Sequence, residues 1–360
     1  MRLQGLLSFP LTPFTADGGE VALDVFAEHV EAQVAAGPSG LFVACGTGEF
    51  TALSLAEYSE IVATAVRVSG RRVPVFAGAG GGPQLARQFA TIAADQGADG
   101  LLLLPPYLVA APPRGLVEHV RLVSQATDLP IAVYQRANAV LDPASAVALL
   151  DIPTVAGIKD GRGDVDAMLR LVTAVRTSGH PRAAEFGFLN GLPTAELSVR
   201  AYRAIGVDSY SSAVLCFAPE IATRFWRAVE ADDEEAMNAL LATFYLPLVA
   251  LRDKVPGYAV ALVKAGAKLR GLDVGPVRPP LVDPTAEHLD ELAAVLAAGL
   301  DTVKALDANK LDAANKLNPA NKLDPANKLD PASEPDAAGR HDPASRPDPA
   351  KDLGTGKGAA

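Results

Sequence analysis

The sequence predicts a closed (β/α)8 barrel of the TIM class, followed by a C-terminal helical extension and a repetitive tail. Three observations predict it. Eight short apolar runs recur in series, amphipathic stretches with recognisable helix starts separate them, and after the eighth run the pattern turns purely helical. Eight β-then-α repeats in series favour a closed ring of strands over an open doubly wound sheet. The expected organisation is a barrel over 1–217, a helical extension over 218–300 and a low-complexity, disordered tail over 301–360.

The strand-like runs are GLLSFPL from Gly5, LFVAC from Leu41, VPVFAG from Val73, LLLL from Leu101, IAVYQ from Ile131, VAGIK from Val155, EFGFL from Glu185 and VDSYSSA from Val207. They read as parallel strands covered on both faces by crossover helices. Between them, Ser54 with Glu57 forms a capping box, and Asp142-Pro143 supplies an N-cap and a proline at the first helical position. The run GAGGG from Gly78 matches neither the Walker phosphate loop nor GxGxxG with a downstream acid, and reads as turn geometry.

Beyond Pro219, the segments FAPEIATRFWRAVEA, DEEAMNALLATFYLPLVALRD, GYAVALVKAGAKLRG and DPTAEHLDELAAVLAAGL each have helical spacing. Hexapeptides then recur: KLDAAN from Lys310, KLNPAN from Lys316, KLDPAN from Lys322 and KLDPAS from Lys328. One leucine per repeat cannot bury a core, and a proline every sixth residue breaks a helix. This predicts a disordered tail; a partner-binding tail is the lesser alternative.

Composition excludes several classes. With 49% hydrophobic residues the chain can bury a large core, while a net charge of −10 and the lack of an extended Lys/Arg block argue against nucleic acid and membrane surfaces as partners. A small anionic substrate stays compatible, because local donors decide its binding. Cys45 and Cys216 are too few for a disulfide framework and lie in apolar runs, as reduced core residues do. The N-terminal stretch lacks the apolar run and cleavage site of a signal peptide. The most apolar segment, from Gly100, is interrupted by Pro105 and Pro106 and is too short to span a bilayer. A cytoplasmic protein is expected. The five histidines are scattered without ligand spacing, so a bound catalytic metal is not expected.

In such barrels the active-site groups sit at the C-terminal ends of the strands. That rule selects the Cys45–Glu49 stretch after strand two, Tyr134 to Arg136 after strand five, Lys159 and Asp160 after strand six, and Ser211 and Ser212 on strand eight. Lys159 closes an apolar run, which buries its stem and sends its amine to the barrel mouth. An amine taken out of water is favoured in its neutral form, the form that attacks a carbonyl. The alternative is an ordinary lysine paired with Asp160. Tyr134 reads either as a proton relay to that amine or as a core tyrosine with a satisfied hydroxyl. Gly46, Thr47 and Gly48 offer backbone amides and a hydroxyl to a carboxylate, although similar strand-to-helix turns are common.

Thr47 in GTGEF, Tyr107 in LPPY, Tyr134 in VYQR and Lys159 in GIKDG stand in the order of the dihydrodipicolinate synthase/N-acetylneuraminate lyase superfamily. GIKDGRGD, GLPTAE from Gly191, YSSAVLCFAPE from Tyr210 and FYLPLVALRDKVPGYAVALVKAG from Phe244 are most similar to its branch of decarboxylating dehydratases acting on 5-dehydro-4-deoxyglucarate. The resemblance covers about residues 1–300 and leaves out the repetitive tail.

It implies a Schiff-base lyase, with Lys159 as nucleophile and Tyr134 as proton shuttle, that needs no cofactor. The substrate would be a small sugar acid in glucarate catabolism, converted to 2,5-dioxopentanoate, CO2 and water. Its 2-oxo acid carboxylate would lie on the Thr47 turn and its distal carboxylate near Arg136 or Asn138, with Ser211 or Ser212 assisting. The resemblance further implies a homo-oligomer, a dimer or tetramer, in which Tyr107 reaches a neighbour's site or fills the subunit contact. Two positions depart from the pattern: Gly46 replaces the second hydroxyl residue of the synthase branch, and Ala137 stands where the dehydratases usually carry an acid. Two other readings are an aldolase of the same superfamily, which would release pyruvate, and a non-catalytic sugar-acid-binding barrel.

Overall fold

The eight apolar runs become eight parallel strands hydrogen-bonded in sequence order, and the eighth pairs back to the first. They are β1 Leu6–Ser8, β2 Leu41–Val43, β3 Val75–Ala79, β4 Gly100–Leu103, β5 Ile131–Gln135, β6 Val155–Asp160, β7 Gly187–Asn190 and β8 Ser209–Ser212. This is a computed structural model, which describes residues 3–106 and 108–317.

Alternate residues of each strand face opposite sides, and the two sides build different cores. Leu7, Phe9, Phe42, Phe76, Leu102, Tyr134 and Leu189 form one buried cluster that fills the ring. Within it Phe42 stacks between Phe9 and Phe76, with ring centroids 4.8 and 4.7 Å apart. The outward residues, such as Val43, Val75, Leu101, Val133 and Ile158, join the second cluster with the apolar stripes of the helices. A strand buried on both sides carries no polar alternation, which is why the runs looked continuously apolar.

The covering helices are α1 Leu23–Ala35, α2 Leu55–Ser69, α3 Pro83–Asp95, α4 Pro113–Ser124, α5 Pro143–Ala148, α6 Val165–Thr177 and α7 Val199–Ala204. The Ser54 capping box and the Asp142 cap form as the sequence predicts, Asp142 Oδ1 accepting from the Ser145 amide at 2.8 Å. The GAGGG run is turn and packing geometry. A Cβ on Gly78 would lie 2.1 Å from the Ala44 carbonyl oxygen, and Gly82 caps α3.

The helix α8, Pro219–Glu230, sets Trp226 against Tyr210 of β8 with centroids 5.6 Å apart. It completes the eighth β/α unit, so the barrel reaches past the expected boundary at 217. Next come α9 Glu234–Leu240, a π-helical turn Leu241–Tyr245, α10 Leu246–Arg252, α11 Tyr258–Leu269 and α12 Ala286–Leu317. The π turn has a covalent cause: Pro247 donates no hydrogen bond, and its ring opposes the carbonyl four residues back. The reset turns Phe244 and Tyr245 fully inward.

The helix α12 also runs on past the expected start of a disordered tail at 301. Leu306 packs on a further buried cluster that includes Phe225, Phe244, Tyr245 and Leu292, Thr302 Oγ1 donates to Thr243 Oγ1 at 2.9 Å, and Arg224 Nε donates to Asp307 Oδ1 at 3.1 Å. The reason is visible in the chain: the first hexapeptide, KLDAAN, has no proline. Of the proline-bearing repeats, only Lys316 and Leu317 fall within the described residues. Among the described residues no helix is long and apolar enough to cross a membrane. Cys45 and Cys216 are free and buried, and burial pushes both thiols up to about 12.

Candidate active site

Tyr134 and Lys159 are register partners on adjacent strands, so both side chains point into the mouth of the ring. Lys159 is 6% exposed. Its Nζ sits 3.9 Å from the centroid of the Tyr134 ring and 4.5 Å from that of Phe9. The Tyr134 hydroxyl donates to the Gly191 carbonyl at 3.3 Å. Two glycines make room for the pair. A Cβ on Gly191 would lie 2.3 Å from Lys159 Cε, and one on Gly161 would lie 2.6 Å from the Tyr134 hydroxyl.

Lys159 makes no ion pair among the described residues, so its pairing with Asp160 does not occur. The reason is strand parity: Asp160 points outward, where its carboxylate accepts from Gln135 Nε2 at 2.8 Å, from the Tyr202 hydroxyl and from the Arg162 and Gly163 amides at 3.3 and 3.2 Å. These contacts tie together the ends of β5, β6 and α7 behind the lysine.

The turn after β2 is built from both sides. Ala44 and Glu49 adopt positive φ, of 47° and 54°. Thr12 Oγ1 donates to the Gly48 carbonyl at 2.7 Å, and Glu49 is anchored by Lys264 Nζ at 2.7 Å and the Arg278 amide at 2.9 Å. Gly46 and Thr47 line the cavity over Lys159, while Gly48 is buried. Among the described residues the amides of Thr47 and Gly48 donate to no backbone carbonyl, so both are available to an anion.

The cavity measures about 260 Å³ and is lined by Gly46, Thr47, Tyr134, Arg136, Lys159 and Ser211 from the sequence-predicted set. The other predicted residues lie elsewhere. The Asn138 amide donates to the carbonyls of Pro106 (3.3 Å) and Val109, holding the loop after β4 instead of facing the cavity. Ser212 is fully buried and its Oγ donates to Glu196 Oε1 at 2.6 Å. Tyr107 lies outside the described residues.

Sequence reasoning missed Glu196 and Arg252, both of which line the cavity. Glu196 follows β7 on a short 3-10 turn, and burial raises its carboxyl to about 7. Arg252 ends α10 and donates to Thr194 Oγ1 at 2.9 Å. The motif GLPTAE contained Glu196, but no periodicity marked a lone acid after a strand as inward-facing. Arg252 reaches the mouth only because the C-terminal helices fold back over it.

A family model described as the dihydrodipicolinate synthetase family matches residues 2–299. The chain belongs to the dihydrodipicolinate synthetase family. Within it, a relative from Streptomyces griseus described as a probable 5-dehydro-4-deoxyglucarate dehydratase is 52% identical over 295 residues, covering 82% of this chain and 91% of its own length. A protein of the same description from Bradyrhizobium sp. is 43% identical, with 82% and 91% covered. Among solved structures, dihydrodipicolinate synthase from Bacillus clausii superposes with a TM-score of 0.75 at 23% identity, covering 82% of this chain and 97% of that one. A prophage protein of this family from E. coli K12, solved in complex with pyruvate, gives 0.73 at 25% identity, with 82% and 98% covered. The family's fold accounts for the whole barrel, and the repetitive tail falls outside the matched span.

Chemically, the family member described here holds an unpaired buried amine beside a phenol. The same cavity is lined by the Thr47 turn, by Arg136 and Arg252 and by the buried acid Glu196. That combination suits covalent capture of a 2-oxo acid followed by proton transfer.

Proposed function

We propose that the protein is a hydro-lyase that dehydrates and decarboxylates 5-dehydro-4-deoxyglucarate to 2,5-dioxopentanoate through a Schiff base on Lys159. The observation that carries this reading is the buried, unpaired Lys159 amine stacked on Tyr134 at the barrel mouth. The description of the relatives at 52% identity supports the substrate, and the pyruvate complex of the E. coli protein supports a 2-oxo acid end.

The substrate's 2-oxo carboxylate binds the Thr47 and Gly48 amides. Lys159 attacks the ketone, and Tyr134 moves protons as the carbinolamine loses water. The iminium acidifies the neighbouring methylene, and its deprotonation gives an enamine. Enamine electrons expel the β-hydroxyl as water, leaving a double bond conjugated to the iminium. The distal carboxylate, positioned by Arg136, then leaves as CO2, because its bonding electrons flow through that double bond to nitrogen. Protonation of the resulting dienamine at carbon restores the iminium, the enol tautomerises to the aldehyde, and hydrolysis of the iminium releases the product and frees Lys159. The carbon count balances: six carbons enter, five leave in the aldehyde acid and one as CO2. One electron sink serves both bond cleavages. The enzyme acts as a cytoplasmic homo-oligomer in this reading, consistent with its two free cysteines.

Incubation with 5-dehydro-4-deoxyglucarate and mass spectrometry of the products tests this, beside Lys159→Ala. We expect 2,5-dioxopentanoate and CO2 from the wild type alone. Pyruvate in their place would make the enzyme an aldolase. Equal product from Lys159→Ala would remove the Schiff base.

A further inference from the structure

Glu196 is a carboxyl buried without a cation. It is 1% exposed, it lies on the wall of the cavity that holds Lys159 and Ser211, and it forms no ion pair among the described residues. Its placement is built into the chain: Thr194 takes a left-handed conformation (φ 54°), and the short turn Ala195–Leu197 then swings Glu196 inward.

Its two oxygens are not equivalent. Oε1 accepts from Ser212 Oγ at 2.6 Å, whereas Oε2 has no hydrogen-bond partner within the described residues. A buried polar atom left unpartnered is uncommon and points to a ligand or a catalytic use. The surroundings favour the protonated form. Tyr210 and Ser212 of β8 and Tyr245 of the π turn pack around the carboxyl, with Lys159, Tyr134, Arg136 and Arg252 elsewhere on the cavity wall. Tyr245 interacts with it most directly among the phenols, and both phenols are pushed well above their usual range by burial and by the nearby carboxylate charge. Because Ser212 donates to Oε1, the acidic proton belongs on Oε2.

We propose that Glu196 is the general acid of the dehydration step, its Oε2 proton passing to the departing β-hydroxyl. This deepens the reading above and rests on it. The enamine nitrogen lone pair re-forms the C=N bond, and the enamine double bond shifts one carbon outward. The carbon–oxygen bond breaks, and that oxygen leaves as water with the Glu196 proton. Glu196 is then a carboxylate, and it recovers its proton from the water that hydrolyses the final iminium. Ser212 is a positioning residue that holds the carboxyl through Oε1. A neutral acid near neutral pH suits this task, since its protonated form is populated under working conditions.

Leaving-group chemistry tests the assignment. Two probes share the 2-oxo acid end, 4-hydroxy-2-oxobutanoate and 4-chloro-2-oxobutanoate. Departure of hydroxide needs an acid and departure of chloride does not. For Glu196→Gln we expect elimination from the hydroxy probe to fall about 10²–10⁴-fold. Chloride release, and deuterium exchange of the pyruvate methyl group in D2O, should stay within about threefold of wild type. Equal losses on both probes would make Glu196 merely structural, and no loss on the hydroxy probe would remove it from the reaction.

Should the variant not fold, the wild type decides. The ratio of hydroxy- to chloro-probe rates should fall as pH rises through about 7, and a flat ratio would overturn the proposal. Failure of the underlying reading looks different, since wild-type enzyme would then neither exchange pyruvate nor be trapped on Lys159 by borohydride.

Discussion

Replacing Lys264 by methionine should destabilise the protein more than any surface change, because it strands a carboxylate under the active-site turn. Lys264 Nζ lies 2.7 Å from Glu49 Oε1, and both side chains are 1% exposed. The ammonium also donates to the Pro276 carbonyl at 2.8 Å and stands 4.0 Å from the centre of the Phe14 ring. Burial pulls the pKa of Lys264 down and the Glu49 charge opposes this, which marks a charge held in place chiefly by its partner. Methionine keeps the shape of the stem and removes the charge. Breaking one side of a buried pair costs about 3–5 kcal/mol, because the remaining ion has neither water nor an ion-pair partner and keeps only the Arg278 amide. Equilibrium urea unfolding followed by the fluorescence of Trp226, the sole tryptophan, would read this loss. The double variant Glu49→Gln/Lys264→Met should recover about 0.5–3 kcal/mol relative to the sum of the singles, since no charge is left stranded. A loss below about 1 kcal/mol for Lys264→Met would refute the reasoning, showing that Glu49 relaxes into water or takes a proton at little cost.

Two further perturbations follow from the same geometry. Gly191→Ala places a Cβ 2.3 Å from Lys159 Cε, so the lysine must move. We expect turnover to fall about 10²-fold with a stability cost of about 1–3 kcal/mol, whereas Gly46→Ala, with no atom within 4 Å of its Cβ, should leave stability unchanged. Melting curves and initial rates check both, and an active Gly191→Ala would mean the lysine has slack. His29, buried with Nε2 accepting from the Leu11 amide, is held down to about 4 by burial, against 6.5 when unfolded. The unfolded chain therefore takes up this proton first as pH falls. The stability His29 contributes is fully present above about 6.5 and is lost towards pH 4, about 3 kcal/mol in all. Glu196 acts in the opposite sense between 4.5 and about 7, its contribution fading as pH rises. Comparing wild type with His29→Gln across this range isolates the histidine, and parallel stability curves would contradict its assignment.

The barrel was legible because its strands must be apolar on both faces and its helices on one, so local pattern alone counts out eight repeats. Lys159 was legible for a related reason, as a charged residue that ends an apolar strand in a class whose chemistry gathers at strand ends. The capping box at Ser54 and the Asp142 cap were local contacts and formed as read. The turn of Gly46 and Thr47 was read at the end of strand two, but what holds it was not visible, since Thr12, Lys264 and Arg278 come from distant parts of the chain.

The sequence by itself therefore determined the strand count, the helix starts and the residues at the strand ends, all set by periodicity and covalent geometry within a few positions. The tertiary structure alone decided which of those residues share a cavity. It turned Asn138 towards a loop and Ser212 towards Glu196. It brought Arg252 to the mouth from α10, and it separated Asp160 from Lys159 by the parity of one strand position. The physical reason is that burial and hydrogen-bond partnership are properties of three-dimensional neighbours. A lone acid such as Glu196 has no period, and only closure of the barrel takes away its water.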